Sequence, residues 1–589
     1  MKKLYLAVLT AAGIVLTACG SHKAPESSSP NISASETSQT VTNLPKIDMT
    51  KWLYDEDHNI YYQTGLSYCE NPADETLETM GFFIPGDYFH ATANGDGTYT
   101  CELNPNGKSG SYTALNAPFV VPVNTPGYAS MKAPVDTSSS CGYGSIENYT
   151  DNGIILAFAG ARGRNESAPS GVTDFKAAIR YTRYNQDLLP GNSEAIFTEG
   201  MSGGGAQSAI LGSSGDSVLY DDYLEEIKAV RGVSDAVLGS MAWCPITNLD
   251  EADEAYEWNM GNTRTSLNEE EQKISSQLAN QFAEYINSID IKDENGSTLT
   301  LESSDEGIFQ AGTYYDYMKK TIETSLNHFL SDTEFPYTVE DRSMGPGEMH
   351  GGMPDNMPDN APDNMDFAAI DNISRQDVET NAVTLSGTYQ TVQDYIDALN
   401  APYKWVTYDE TTNTASISSV SDFTKAMKAA SKNLAAFDQL DASQGENILF
   451  GDGNGTGAHF DQILADIVKG TEYEDAFSKD LARTDKLGHT VSDRINMYTP
   501  LYYLLKSSDG YQTSKVADYW RIRTGLSQGD TALCTEVNLA LAAENYSDNT
   551  HVDFETVWGL GHTTAERTGN SVDNFISWVY DCMEIYLNN

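Results

Sequence analysis

Residues 195–210 read AIFTEGMSGGGAQSAI. An apolar start gives way to glycines around one serine, Ser202, and then to small residues that open a helix. A strand, a sharp turn and a helix in so few residues leave little room for side chains. Gly200, Gly203 and Gly204 remove them where strand and helix must approach. Gly200-Met201-Ser202-Gly203-Gly204 fits G-x-S-x-G. The match gains weight from its setting, a β-run before and a helix after, which is that of a nucleophile elbow. The helix start also brings free N–H groups and a positive dipole end to Ser202.

The surrounding chain alternates strand-like and helix-like stretches. MGFFIP (80–85), FVVPV (119–123), IILAFAGA (154–161), AIFTEG (195–200) and VLGSMAWCPI (237–246) are apolar runs of strand length. Unbroken runs of this kind suit strands covered on both faces. FKAAIRYTRYN (175–185) and GAQSAILG (205–212) have helical character. Strands separated by helices imply an α/β fold with a mostly parallel sheet. Residues 250–490 break the pattern: they are acidic and helical in pieces, as in NEEEQKISSQLANQFAEYINSI. They also hold MPDNMPDNAPDNMD (353–366), whose prolines exclude a helix. DGNGTG (452–457) lacks the spacing and terminal Glu of a calcium loop and reads as a turn. Strand signals return in VADYWRIRTG (516–525) and HVDFETVWGLG (551–561). The economical description is one sheet in two parts, 46–248 and 491–589, with a lid inserted at 249–490 that carries a disordered segment near 344–366.

A nucleophilic serine needs a base, and the base an orienting acid; on this scaffold the order along the chain is Ser, acid, His. His562 follows the last strand signal, Phe554–Trp558, and a Gly-rich turn. Its rival, His489, follows a charged stretch without a strand. Asp530 lies just past the strand at 519–525 and is the expected acid. The oxyanion donors expected are the N–H of Gly203, next after the nucleophile, and that of Gly127, since Pro126 in the loop after FVVPV has none.

Composition bounds the partners. Thirty-five basic against 85 acidic residues give a formal charge of −50, which repels nucleic acid and anionic membrane surfaces. The chain opens MKKLYLAVLTAAGIVLTACG. Its apolar run, Leu4 to Ala18, is too short for a membrane span and reads as a secretory signal (1–18). Leu16-Thr17-Ala18-Cys19 resembles a bacterial lipobox, with Cys19 as the acylated mature N-terminus. Residues 19–45 read as a flexible Ser/Thr/Pro-rich linker. Of the six cysteines beyond Cys19, none forms a C-x-x-C or Cys/His cluster, so no metal site is expected; buried or partly paired thiols are.

Four segments carry a family resemblance: AAIRYTRYNQDLLPGNSEAIFTEGMSGGGAQSAILGSSGDS, MAWCPITNLDEADEAYEW, WRIRTGLSQGDTALCTEVNLALA and VDFETVWGLGHTTAERTGN. Together they resemble the bacterial tannases, α/β-hydrolases with an inserted lid that are related to feruloyl esterases. The resemblance implies a Ser202/Asp530/His562 triad. It further implies that Lys432 and Glu446, in SKNLAAFDQLDASQGENILFG, hold the hydroxyls of a galloyl ring. The family's further acidic contact, two residues beyond the triad acid, falls on Ala532, a departure from the pattern.

The expectation is a lipid-anchored serine carboxylesterase on the outer face of a bacterial cell, with a small aromatic ester as substrate. No cofactor and no obligate protein partner are expected, and membrane contact only through the anchor. Galloyl esters come first; feruloyl and acetyl esters are alternatives. Tyr403 and Trp405 favour an aromatic acid or belong to the lid core. A non-catalytic ligand-binding lipoprotein is the rival from another class, and a peptidase a weaker one.

Overall fold

The structure is a computed structural model that describes residues 41–139, 143–305, 307–339, 383, 385–428 and 430–588. The signal sequence, Cys19, Cys141 and the Pro-Asp-Asn repeat lie outside the described residues.

Nine strands form one sheet: β1 (Leu53–Asp55), β2 (Ile60–Ser67), β3 (Thr79–Pro85), β4 (Phe119–Val123), β5 (Ile155–Ala159), β6 (Ile196–Met201), β7 (Gly239–Trp243), β8 (Tyr519–Gly525) and β9 (His551–Val557). Their spatial order is β1-β2-β3-β5-β4-β6-β7-β8-β9. The first three run antiparallel to their neighbours, and β5 through β9 are parallel. Every residue of β4 to β8 is buried, which is why β4 and β5 read as unbroken apolar runs. The fold is that of an α/β-hydrolase, as the sequence led one to expect. Because β4, β6, β8 and β9 run the same way, the loops that follow them share one edge of the sheet. Ligand sites of open α/β sheets form at that edge.

Helices α1 (Ser170–Tyr184) and α2 (Gly203–Ser213) pack on the sheet. The sheet stops at Trp243 and resumes at Tyr519, so the segment between is an insertion. It contains α3 (Ala252–Met260), α4 (Glu269–Ser288) and α5 (Thr313–Asp332). Asn268 caps α4, its side chain accepting from Glu270 and Glu271 N–H. Ile274, Leu278, Phe282 and Ile286, four residues apart, form its buried stripe, and Trp258 of α3 lies 5.1 Å from Phe282. Each such side chain taken from water is worth roughly 1.5–3 kcal/mol. Helices α6 (Leu533–Tyr546) and α7 (Ser571–Asn588) complete the sheet's cover. Phe197 of β6 meets Trp578 of α7 edge to face at 5.6 Å.

The ordered body reaches further towards the N-terminus than Lys46. Val41 exchanges backbone hydrogen bonds with Arg231, and Leu44 is buried. The reason is local: Glu70 accepts from Asn43 N–H and side chain, which seats Leu44 on the core. Cys69, Cys101, Cys244, Cys534 and Cys582 are free and buried. Among the described residues no helix is long and apolar enough to cross a membrane.

Candidate active site

Strand β6 ends at Met201, and Ser202 turns the chain with φ 60° and ψ −124° before α2 begins. A non-glycine residue in that region is strained and is held only by its surroundings. Here Ser202 N–H donates to Trp243 O at 2.9 Å. The neighbouring glycines are a steric requirement. A Cβ on Gly200 would lie 2.1 Å from Gly204 O, one on Gly204 2.1 Å from Val123 O, and one on Gly203 2.5 Å from Tyr128 N.

His562 stands on the loop after β9, and its Nε2 is 2.8 Å from Ser202 Oγ. That loop is pinned through Glu566, which accepts from Trp243 Nε1 (2.9 Å), Arg521 Nη2 (2.6 Å) and Asn574 Nδ2 (3.0 Å). Arg521 also pairs with Asp553 of β9. Cys244 Sγ adds a contact to Thr563 O at 3.2 Å. The rival His489 is far from this edge in role: its Nε2 faces Asp222 and its ring stacks on Tyr223.

The orienting position differs from expectation. His562 Nδ1 meets Gln528 Oε1 at 2.7 Å. An amide thus stands where the Asp530 carboxylate was expected; Asp530 sits two residues further along the same loop, buried to 9% exposure. The physical reason lies behind Gln528. Its Nε2 donates to Thr524 Oγ1 (2.5 Å) and to Glu536 Oε1 (2.8 Å) on α6, which fastens the side chain beneath the histidine. The charge of Asp530, on the same loop, acts on Tyr256 and Lys428.

The loop after β4 lies against the elbow. A Cβ on Gly203 would come within 3.2 Å of Gly127 N. Tyr128 N–H is spent on Thr125 O at 2.9 Å, and Arg164 Nη1 holds Gly127 O at 3.0 Å. Gly127 has φ 56°, a backbone state glycine adopts without cost. The two expected oxyanion donors are therefore neighbours.

Lys432 and Glu446 also come together. Both are buried, Lys432 Nζ stands 3.7 Å from Glu446 Oε1, and it sits 3.8 Å from the centroid of the Phe437 ring. Arg264, paired with Glu257 at 2.6 Å, donates to Lys432 O at 2.7 Å. Tyr256 ties this lid segment to the catalytic loop. Its hydroxyl accepts from Ser431 N (3.0 Å) and Lys432 N (3.1 Å) and donates to Gly529 O (2.8 Å). Glu446 lies on the short helix Gly445–Leu449, which leans on the oxyanion loop: a Cβ on Gly445 would be 2.7 Å from Arg164 Nη1. Trp405 belongs to the lid core, stacked 6.4 Å from Trp558, while the Tyr403 hydroxyl donates to Asp422 O. Among the described residues no group of three or more His, Cys, Asp or Glu side chains is placed to hold a metal ion.

Sequence reading missed Gln528, Glu536, Glu566 and Tyr256. A glutamine in a turn gives no chemical signal. Glu536 does: a lone carboxylate in the apolar run LCTEVNLALA needs a buried partner.

No protein-family model matches the chain, and no curated protein matches it either. Solved structures do. A tannase from Fusobacterium nucleatum is 26% identical with a TM-score of 0.65, over 93% of this chain and 98% of that one. The tannin acyl hydrolase of Lactobacillus plantarum is 24% identical with a TM-score of 0.63, over 89% and 94%. A tannin acyl hydrolase in complex with ethyl gallate matches at 24% and 0.62, over 89% and 94%. The chain is a carboxylic ester hydrolase of the α/β-hydrolase fold. Within that class, the solved structures it is similar to are tannases.

Proposed function

We propose that the protein hydrolyses galloyl and related aromatic carboxylic esters through an acyl-enzyme on Ser202. The carrying observation is the 2.8 Å contact between Ser202 Oγ and His562 Nε2 at the end of β6. His562 takes the Ser202 proton as the hydroxyl attacks the ester carbonyl. The oxyanion that forms is held by the Gly203 and Gly127 N–H groups. The imidazolium then protonates the departing alcohol, and a water molecule, activated by His562 in turn, releases the acid.

The acid half of the substrate is assigned to the buried Lys432–Glu446 pair, since a cation and a carboxylate bracket phenolic hydroxyls through charge-assisted hydrogen bonds. The family pattern places one more acidic contact two residues beyond the orienting residue. With Gln528 in that role, the position falls on Asp530, not Ala532, so the apparent departure disappears. Ala532 is the N-cap of α6. Asp530 is therefore assigned to substrate in place of the imidazole. The bound ethyl gallate of the structural neighbour supports this choice of acyl group.

The test is hydrolysis of methyl gallate, methyl ferulate and p-nitrophenyl acetate by wild type and Ser202→Ala. Strong gallate release that falls roughly 10⁴-fold or more in Ser202→Ala is expected. Turnover that survives the substitution overturns the reading; activity confined to the other two esters removes the galloyl assignment and keeps the serine. Export and lipid anchoring at the outer cell face rest on the leader and Cys19 alone. Loss of membrane association in Cys19→Ser is the expected result, and unchanged association refutes it.

A further inference from the structure

A neutral amide in the orienting position poses a chemical problem. A side-chain amide has an acceptor end and a donor end. If the donor end faces Nδ1, the imidazole carries its proton on Nε2 and is useless as a base toward Ser202. In serine proteases that wrong tautomer costs about 10⁴-fold in kcat. The amide of Gln528 has its acceptor, Oε1, 2.7 Å from His562 Nδ1. The direction is set from behind. Nε2 lies 2.8 Å from Glu536 Oε1 and 2.5 Å from Thr524 Oγ1. Thr524 spends its own proton towards Glu536, 3.3 Å away. A carboxylate only accepts, so it demands the donor end of Gln528 and turns the acceptor end to the histidine.

We propose that Glu536 is a positioning residue, acting through Gln528 to hold His562 as the Nδ1–H tautomer and to supply the negative charge for its imidazolium from one side chain further away. The inference rests on the serine-esterase reading. No proton crosses the amide: Nδ1–H stays on the ring, Nε2 takes the proton of Ser202 Oγ and returns it to the leaving alcohol. Glu536 is fully buried on α6, with Oε2 unpaired among the described residues. Lys428, Cys244 and Cys534 surround it, and Asp530 acts on Lys428 from the loop. Burial pushes its carboxyl up to about 7 and the Lys428 ammonium opposes this, so the charge is about half formed at pH 7 and complete only on the alkaline side. The Lys428 Nζ has no hydrogen-bond partner among the described residues; burial lowers its pKa and the Glu536 charge opposes this, so the two favour each other's ionised forms without Lys428 taking the oxygen that Gln528 uses.

The experiment is kcat and KM for methyl gallate against pH in wild type, Glu536→Gln, and the exchanged pair Gln528→Glu with Glu536→Gln, with thermal melting of each. Glu536→Gln lets the two amides adopt either polarity, and we expect kcat to fall by about 10²-fold or more with KM within about twofold. The exchanged pair restores a fixed acceptor at Nδ1 and brings the charge next to the ring. It should recover most of the lost kcat and raise the acid-limb pKa of kcat/KM by about one unit, because an adjacent anion favours the imidazolium. A folded Glu536→Gln enzyme with wild-type kcat overturns the proposal, as does an exchanged pair no more active than the single variant. Nitrogen-15 NMR of the histidines gives a readout on the wild-type protein, with the His562 signal assigned by its loss in His562→Gln. The Nδ1–H tautomer is expected, and the Nε2–H tautomer refutes the scheme even where variants fail to fold. If turnover is independent of Ser202, the esterase reading itself has failed, whereas Ser202-dependent turnover indifferent to Glu536 removes only this inference.

Discussion

Around Ser202 the site is made by backbone meeting backbone, whereas around His562 it is made by side chains meeting across five separate segments. Gly200, Gly203 and Gly204 each stand where any Cβ would strike a main-chain atom. The serine side has no freedom to vary its residue types without moving a strand. The histidine side is held by Glu566, Arg521, Trp243, Gln528 and Glu536, drawn from the His562 loop, β8, β7, the loop after β8 and α6. There one polar group can replace another if its partners change with it, and a carboxylate has in effect moved back by one side chain.

The contrast is sharpest at Gly203. In Gly203→Ala the new methyl lies 2.5 Å from Tyr128 N, so the oxyanion loop must shift. We expect kcat to drop about 10²–10³-fold, the size of a lost oxyanion donor, together with a lower melting temperature. Full activity would show that the serine side is not backbone-limited. The lid pair comes next. Lys432→Met removes a cation that the hydrogen-bond scheme gives to substrate hydroxyls, and KM for methyl gallate should rise about 10–100-fold, as for a lost charged hydrogen bond. Under the same substitution p-nitrophenyl acetate, which lacks the hydroxyls, should change by less than about threefold; an equal loss on both would make Lys432 structural. The smallest effect is expected at Tyr256→Phe. It strands the Ser431 and Lys432 N–H groups and should cost about 1–3 kcal/mol of stability, read by denaturant titration, while kcat on p-nitrophenyl acetate stays near wild type. A collapse of kcat instead would mean that the lid steers Gln528 through Gly529.

This division also explains what could be read from the chain in advance. The buried strands declared themselves because both faces are covered: FVVPV corresponds residue for residue to β4. The elbow was legible because its glycines have no other use at that spacing. His562 was legible from the Gly-rich turn after β9. Asp530 was chosen on chemical type, as the acid in the right loop, whereas the ring meets Gln528. Spacing along a loop does not say which side chain meets the ring; for Gln528 that depends on Thr524 and Glu536, which no local pattern connects to it. The partly exposed strands β1 and β2 went unread because polar and exposed positions interrupt their apolar run. The packed stretch 41–45 went unread because only Leu44 and its seat on Glu70 distinguish it from a linker.

The insertion between β7 and β8 has a consequence for how the molecule comes into being. Ser202 and His562 are 360 positions apart, so the nucleophile and its base meet only after a very large loop has closed. Loop closure itself grows slowly in cost with length, but pairing distant strands slows folding. The elbow can form early from β4, β6 and β7, yet its hydroxyl has no base until β9 docks against β8. The serine thus stays inert until β9, the last strand of the sheet, is in place.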